Sequence, residues 1–109
     1  MNTAALNAAI NGLKAAAPYL SLHSATPDAA GSNQVGSRVA ASWGTAANGD
    51  IEATGVEFAG LPASGAVVAV GLWSAATSGT FYGYLSLSDD AAANAAGEYT
   101  VTSVTLDID

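Results

Sequence analysis

The sequence predicts a mainly β protein: an antiparallel β-sandwich or jelly-roll-like domain of six to seven short strands with one N-terminal α-helix. After Pro18 apolar residues alternate with a period of two in several separate stretches. Clusters of Gly, Asn, Asp, Ser and Pro separate the alternating stretches, and a helical period occurs only ahead of Pro18. With 109 residues there is room for one hydrophobic core. The division is therefore a helix over residues 1–17, packed on the domain or on a neighbour, and a single β-sandwich domain over 18–109.

The helix is expected over Thr3 to Ala17, with Thr3 as its cap and Leu6, Ile10, Leu13 and Ala17 on one stripe. Lys14 suits the negative end of the helix dipole, and Pro18 ends the helix. Tyr19 to His23 then alternates, with Leu20 and Leu22 on one side and Ser21 and His23 on the other. Thr26 to Gln34 reads as a loop, and Arg38 to Trp43 as a second strand. Ile51 to Phe58 alternates with a phase slip at Thr54-Gly55, where glycine suggests a bulge. Ala66 to Trp73 is apolar on both faces, as in a strand covered from both sides. Thr80 to Leu87 and Glu98 to Asp109 complete the set, the last with a phase shift near Ser103. The expected core is Leu20, Leu22, Val39, Trp43, Phe58, Val68, Val70, Leu72, Phe81 and Leu85.

Half the residues are hydrophobic, but much of that share is alanine, which buries little area. Charged residues are 10% of the chain against about 25% in ordinary domains. Nine acids stand against Lys14 and Arg38, for a net charge of −7. Binding to nucleic acid needs cations to neutralise phosphates, so direct nucleic-acid contact is not expected. Without cysteine there are no disulfides or thiolate metal sites. No stretch has the length and apolarity of a membrane span, and the start lacks a signal-peptide pattern, so a cytoplasmic origin and no membrane contact are expected.

Two segments carry a family resemblance. One runs from Tyr19-Leu20-Ser21-Leu22-His23-Ser24-Ala25-Thr26-Pro27-Asp28 through a Gly-Ser-Asn loop to Arg38-Val39-Ala40-Ala41-Ser42-Trp43-Gly44. The other is Val70-Gly71-Leu72-Trp73-Ser74-Ala75-Ala76-Thr77-Ser78-Gly79-Thr80-Phe81-Tyr82-Gly83-Tyr84. Together they resemble a family of small virion structural proteins from phages of actinobacteria and other high-GC hosts, labelled variously head decoration, minor tail or tail fibre protein. The loop before Arg38 is shorter than the family's Gly-Gly-Ser-Tyr-Ala-Arg pattern. The resemblance implies a virion protein made in the host cytoplasm. Capsid decoration is the first expectation, with binding to the major capsid protein or other virion proteins and assembly as a homo-oligomer. A minor tail or tail fibre component is the alternative, and a carbohydrate-binding receptor module is the rival from another class.

No catalytic, cofactor or metal site is expected, and the protein is read as a non-enzyme. His23 is the sole histidine. Ser21, His23 and Asp28 can be written as a Ser/His/Asp grouping, but no Gly-x-Ser-x-Gly turn accompanies them. The favoured reading is a strand-end histidine bonding the Pro-Asp loop. Asp89-Asp90 and Asp107-Ile108-Asp109 are read as solvated acids rather than a calcium site. Arg38, the sole arginine, is expected to pair with Glu52 or Glu57, or with an acid of another subunit. Trp43, Trp73, Phe81, Tyr82 and Tyr84 have the aromatic faces of a sugar groove, but too few polar fixing groups surround them, and an interface is preferred. The candidate interface residues are Leu6, Ile10, Leu13, Arg38, Tyr82 and Tyr84.

Overall fold

A computed structural model describes residues 2–87 and 91–107. The expected class is met. One N-terminal helix precedes six strands, arranged as two antiparallel sheets. Asp89-Asp90, Ile108 and Asp109 lie outside the described residues.

Helix α1 spans Thr3–Ala16. Its cap is Asn2 rather than Thr3: the Asn2 carboxamide oxygen accepts the Ala5 N–H at 2.9 Å, and Thr3 is already helical. At the other end the Ala17 N–H donates to the Leu13 carbonyl, and Pro18, which lacks an N–H, cannot extend the ladder. The helix docks on its own domain. Ile10 is fully buried in the core, and Asn7 Oδ1 accepts the Gly49 N–H at 2.8 Å. Lys14 Nζ donates to the Gly44 carbonyl, and the Trp43 indole donates to the Ala17 carbonyl, so the C-terminal end of the helix is fastened to the segment after the second strand.

Strands β1 (Tyr19–His23), β2 (Gln34–Ala40), β4 (Ala69–Trp73) and β5 (Phe81–Ser86) form one sheet in the order β2-β1-β4-β5. Strands β3 (Asp50–Phe58) and β6 (Tyr99–Asp107) pair as a long ribbon across from it. Between the sheets lie Leu20, Leu22, Val70 and Leu72 of the first, and Ile51, Ala53, Val56, Phe58, Val101, Val104 and Leu106 of the second. Val39, Trp43 and Leu85 are half-buried at the margin of this core.

Three expectations are corrected. Strand β2 begins at Gln34 and ends before Trp43, because Gln34 and Val35 pair with His23 and Leu22 across a register shift in β1–β2. Gly36 and Ser37, between the expected loop and the expected strand, belong to that irregular stretch of an edge strand. Phe81 lies outside the main core, on the opposite face of the four-stranded sheet, against Trp73 and His23. The phase slip at Gly55 is real, but it is not a one-sided bulge. Inward positions pass from Ile51 and Ala53 to Val56 and Phe58, and on β6 from Val101 to Val104 and Leu106, while the pairing register stays constant. Both strands change phase together, opposite each other, with Gly55 at φ +61.

Candidate functional site

Strand β1 is buried on both faces. Its leucines point into the main core, so the alternation turns Ser21 and His23 to the other face, where both are 0% exposed. Buried polar groups need partners, and each of these has them. His23 Nδ1 lies 2.7 Å from the Ser32 carbonyl oxygen. A carbonyl only accepts, so Nδ1 carries the proton and Nε2 is the acceptor. The Ser21 hydroxyl, 2.7 Å from Nε2, donates to it. Ser21 Oγ in turn accepts the Trp73 indole N–H at 2.8 Å. Indole, hydroxyl, imidazole and backbone carbonyl form one directional chain that ties β4 through β1 to the loop ahead of β2.

The surroundings are close-fitting. Phe81 lies 5.0 Å from the Trp73 ring and 6.0 Å from His23, centroid to centroid. Gly71, paired with Ser21 across the sheet, leaves room for the chain: a Cβ there would stand 2.4 Å from Ser21 Oγ and 2.6 Å from His23 Nε2. Gly31, at φ +78, brings the loop backbone onto Trp73, where a Cβ would meet Cζ2 at 2.5 Å. The outer side of Trp73 carries the Arg38 guanidinium, 3.3 Å above the ring centroid. Arg38 Nε donates to Gln34 Oε1 at 3.1 Å, and Nη1 donates to the carbonyls of Ala75 and Ser78 at 3.0 and 2.6 Å. The expected pairing with Glu52 or Glu57 does not occur. Val39 packs on the main core, so Arg38, its neighbour in an alternating strand, is turned to the opposite face. Its partners are an aromatic ring, the Gln34 carboxamide and two backbone carbonyls, with an open groove of about 500 Å³ beside it lined by Gln34, Ser37, Thr77 and Ser78.

The Ser/His/Asp grouping is not assembled. Asp28 organises its own loop, with Oδ1 accepting the N–H groups of Ala30 and Ser32, and these bonds hold its carboxyl below the ordinary 3.8. The third position at His23 is held by the Ser32 carbonyl. The histidine does bond the loop after Pro27-Asp28, as the strand-end reading expects. Chemically, Ser21 is enclosed and already accepts a hydrogen bond from Trp73, which opposes its use as a nucleophile. Among the described residues no three His, Asp or Glu side chains converge as metal ligands. Asp50 and Asp107 face each other across the β3–β6 ribbon, where burial and the facing carboxylate push the Asp50 carboxyl up.

Of the candidate interface residues, Ile10 is spent in its own chain's core and Leu13 packs against it, while Leu6 is half-buried with its Cβ close to Gly49. Tyr82 and Tyr84 are exposed, at 46% and 42%. Sequence reasoning misses Trp73 as the centre of this face and Gly71 as the residue that admits the polar chain. The glycine inside an apolar strand is the signal that marks the close approach.

The buried histidine makes stability depend on pH. Burial lowers the His23 pKa below 6.5, and the Arg38 charge adds to this against the opposing effect of the Ser32 bond. Between the lowered folded value and the unfolded 6.5, the unfolded chain binds more protons. Stability therefore rises with pH across this window and is lost on acidification. Thermal midpoints measured from about pH 7.5 down to about pH 5.5 should fall in the parent and stay flatter in His23→Gln. Equal slopes would show that His23 is not the group responsible.

Compared with known proteins, residues 1–109 match the family model described as Podophage GP4 fiber I protein gp80. No curated protein and no solved structure matches the chain.

Proposed function

Because the chain belongs to the family of the podophage GP4 fiber I protein gp80 and is a phage structural protein, we propose that it is a fibre subunit of the virion, held there by protein–protein contacts and carrying out no chemical step. The observation that carries this reading is the full-length match to a family described as a fibre protein. Of the virion placements the sequence suggests, the description supports tail or fibre over decoration of the capsid shell. The enclosed Ser21–His23 pair supports a structural role, because its hydrogen-bonding capacity is taken up inside the fold. Partners are then other virion proteins and further copies of the chain rather than nucleic acid, since only Lys14 and Arg38 are basic.

Counting copies per particle tests the placement. Quantitative mass spectrometry of purified virions should find a small number of copies relative to the major capsid protein. Hundreds of copies per particle would replace the fibre reading with shell decoration. A salt wash tests the kind of contact. A surface so poor in charge should stay attached as ionic strength rises, because screening weakens only the electrostatic part of an interface. Release at moderate salt with the fold intact would show that charge holds the protein on.

A further inference from the structure

From Phe58 to Ser88 the sequence carries no charged side chain, and all nine acids and both bases lie outside that span. The span includes β4, the turn after it and β5. Strand β5 is the last strand of its sheet, and among the described residues β4 is its only strand partner. The two ends of the sheet are not equivalent. At the other end β2 lies against β3 and carries Arg38, so that edge is partly covered and charged.

An uncovered edge strand offers a row of N–H and C=O groups to another chain, and soluble proteins blunt such edges with lysine, proline, bulges or covering segments. Among the described residues, strand β5 has only one of these devices, a register irregularity at Phe81–Gly83. From Gly83 to Ser86 the pairing with β4 is regular, and the segment has neither charge nor proline. Leu87 donates its N–H inward to the Val68 carbonyl, so by alternation the N–H groups of Tyr84 and Ser86 face outward. Tyr82 and Tyr84, the large hydrophobic side chains that the described residues expose, both belong to this strand.

We propose that β5 is a self-association edge, pairing antiparallel with β5 of a second copy across a two-fold axis so that the two sheets join. Charge favours a second copy as the occupant. At −7 two copies repel each other, and they approach at least cost where neither presents an acid. An antiparallel edge is also self-complementary: the outward donors and acceptors of one β5 match those of another after a two-fold rotation. So short an edge buries less than the roughly 1,200 Å² of a standard stable interface, so the isolated pair is weak and gains strength where other contacts hold copies side by side. The inference concerns the isolated chain and does not depend on where in the virion the protein sits.

Sedimentation equilibrium and hydrogen exchange on the purified chain test it. The protein should be about half associated at roughly 100 µM, with exchange at the Tyr84 and Ser86 amides slowing as concentration rises. Tyr84→Lys should weaken association about tenfold or more. This substitution makes the chain less negative, so relief of Coulomb repulsion acts in the opposite direction. Thr102→Lys, on an exposed position of β6 with the same change in charge, should leave association unchanged or strengthen it. Thermal melts check that both variants fold. A monomer at all concentrations up to about 1 mM overturns the proposal. Association that Tyr84→Lys leaves intact overturns it as well, since the contact then lies elsewhere.

Discussion

Replacing Trp73 with alanine should lower the unfolding free energy by about 3–5 kcal/mol. The ring is 6% exposed and supports three neighbours at once: Phe81 beside it, the Arg38 guanidinium over it and the Gly31 loop against its edge. Truncation opens a cavity beneath all three and removes the donor to Ser21 Oγ. A domain of this size has only about 5–15 kcal/mol in total, so the variant should be marginal at room temperature. Trp73→Phe separates the contributions. It keeps most of the ring and loses the N–H, and should cost about 1 kcal/mol for the hydrogen bond together with a smaller packing loss. Urea denaturation of the three proteins measures both differences. A Trp73→Ala midpoint equal to the parent's would mean that the second face of the sheet contributes nothing to stability.

Gly71→Ala should have an effect of similar kind from the opposite cause. The added methyl group would lie well inside contact distance of Ser21 Oγ and His23 Nε2, and 2.9 Å from Phe81 Cε1. None of the three can easily move away. Ser21 is held by Trp73, His23 by the Ser32 carbonyl and Phe81 by the Trp73 ring. Overpacking of this sort costs about 1–3 kcal/mol. The upper end is expected here, because relief requires breaking a bond of the buried chain. If His23 is displaced toward water, its burial is relieved and its pKa should move back up toward 6.5. Denaturation together with an NMR titration of the imidazole reads both effects. Full stability with an unmoved titration would show that the ring does not lie against Gly71.

The parts of this fold that are legible in the sequence are those set by local period. The alternation of Leu20 and Leu22 with Ser21 and His23 assigns their faces correctly, and the phase slips near Gly55 and Ser103 both recur in the structure as one paired change. The bond from His23 to its following loop is legible because its partners lie only nine positions apart. What joins distant segments is not. Ser21 and Trp73 lie 52 positions apart, and no local pattern pairs them. Arg38 is misassigned for a related reason. Counting charges suggests a carboxylate partner, whereas the strand phase turns the guanidinium toward an indole and two carbonyls. Capping by Asn2 rather than Thr3 is a shift of one residue between two good caps.

The polar half of β1 also bears on how the chain finds its alignment during folding. A strand with apolar residues on both sides can slide by one position against its neighbours and still bury hydrocarbon either way. Here a slide of one residue would exchange the faces, sending Ser21 and His23 among Ile51, Val104 and Leu106 with no partners, and turning Leu20 and Leu22 toward Arg38 and the loop. The Ser21 hydroxyl and the His23 imidazole would then be dehydrated without compensation, a penalty of about 1–3 kcal/mol for each unsatisfied group. In the native alignment both layers close at once. The Ser-x-His pair thus acts as a key that fits one position of the lock, rejecting misaligned pairings of a short, alanine-rich chain whose hydrophobic residues alone discriminate poorly between them.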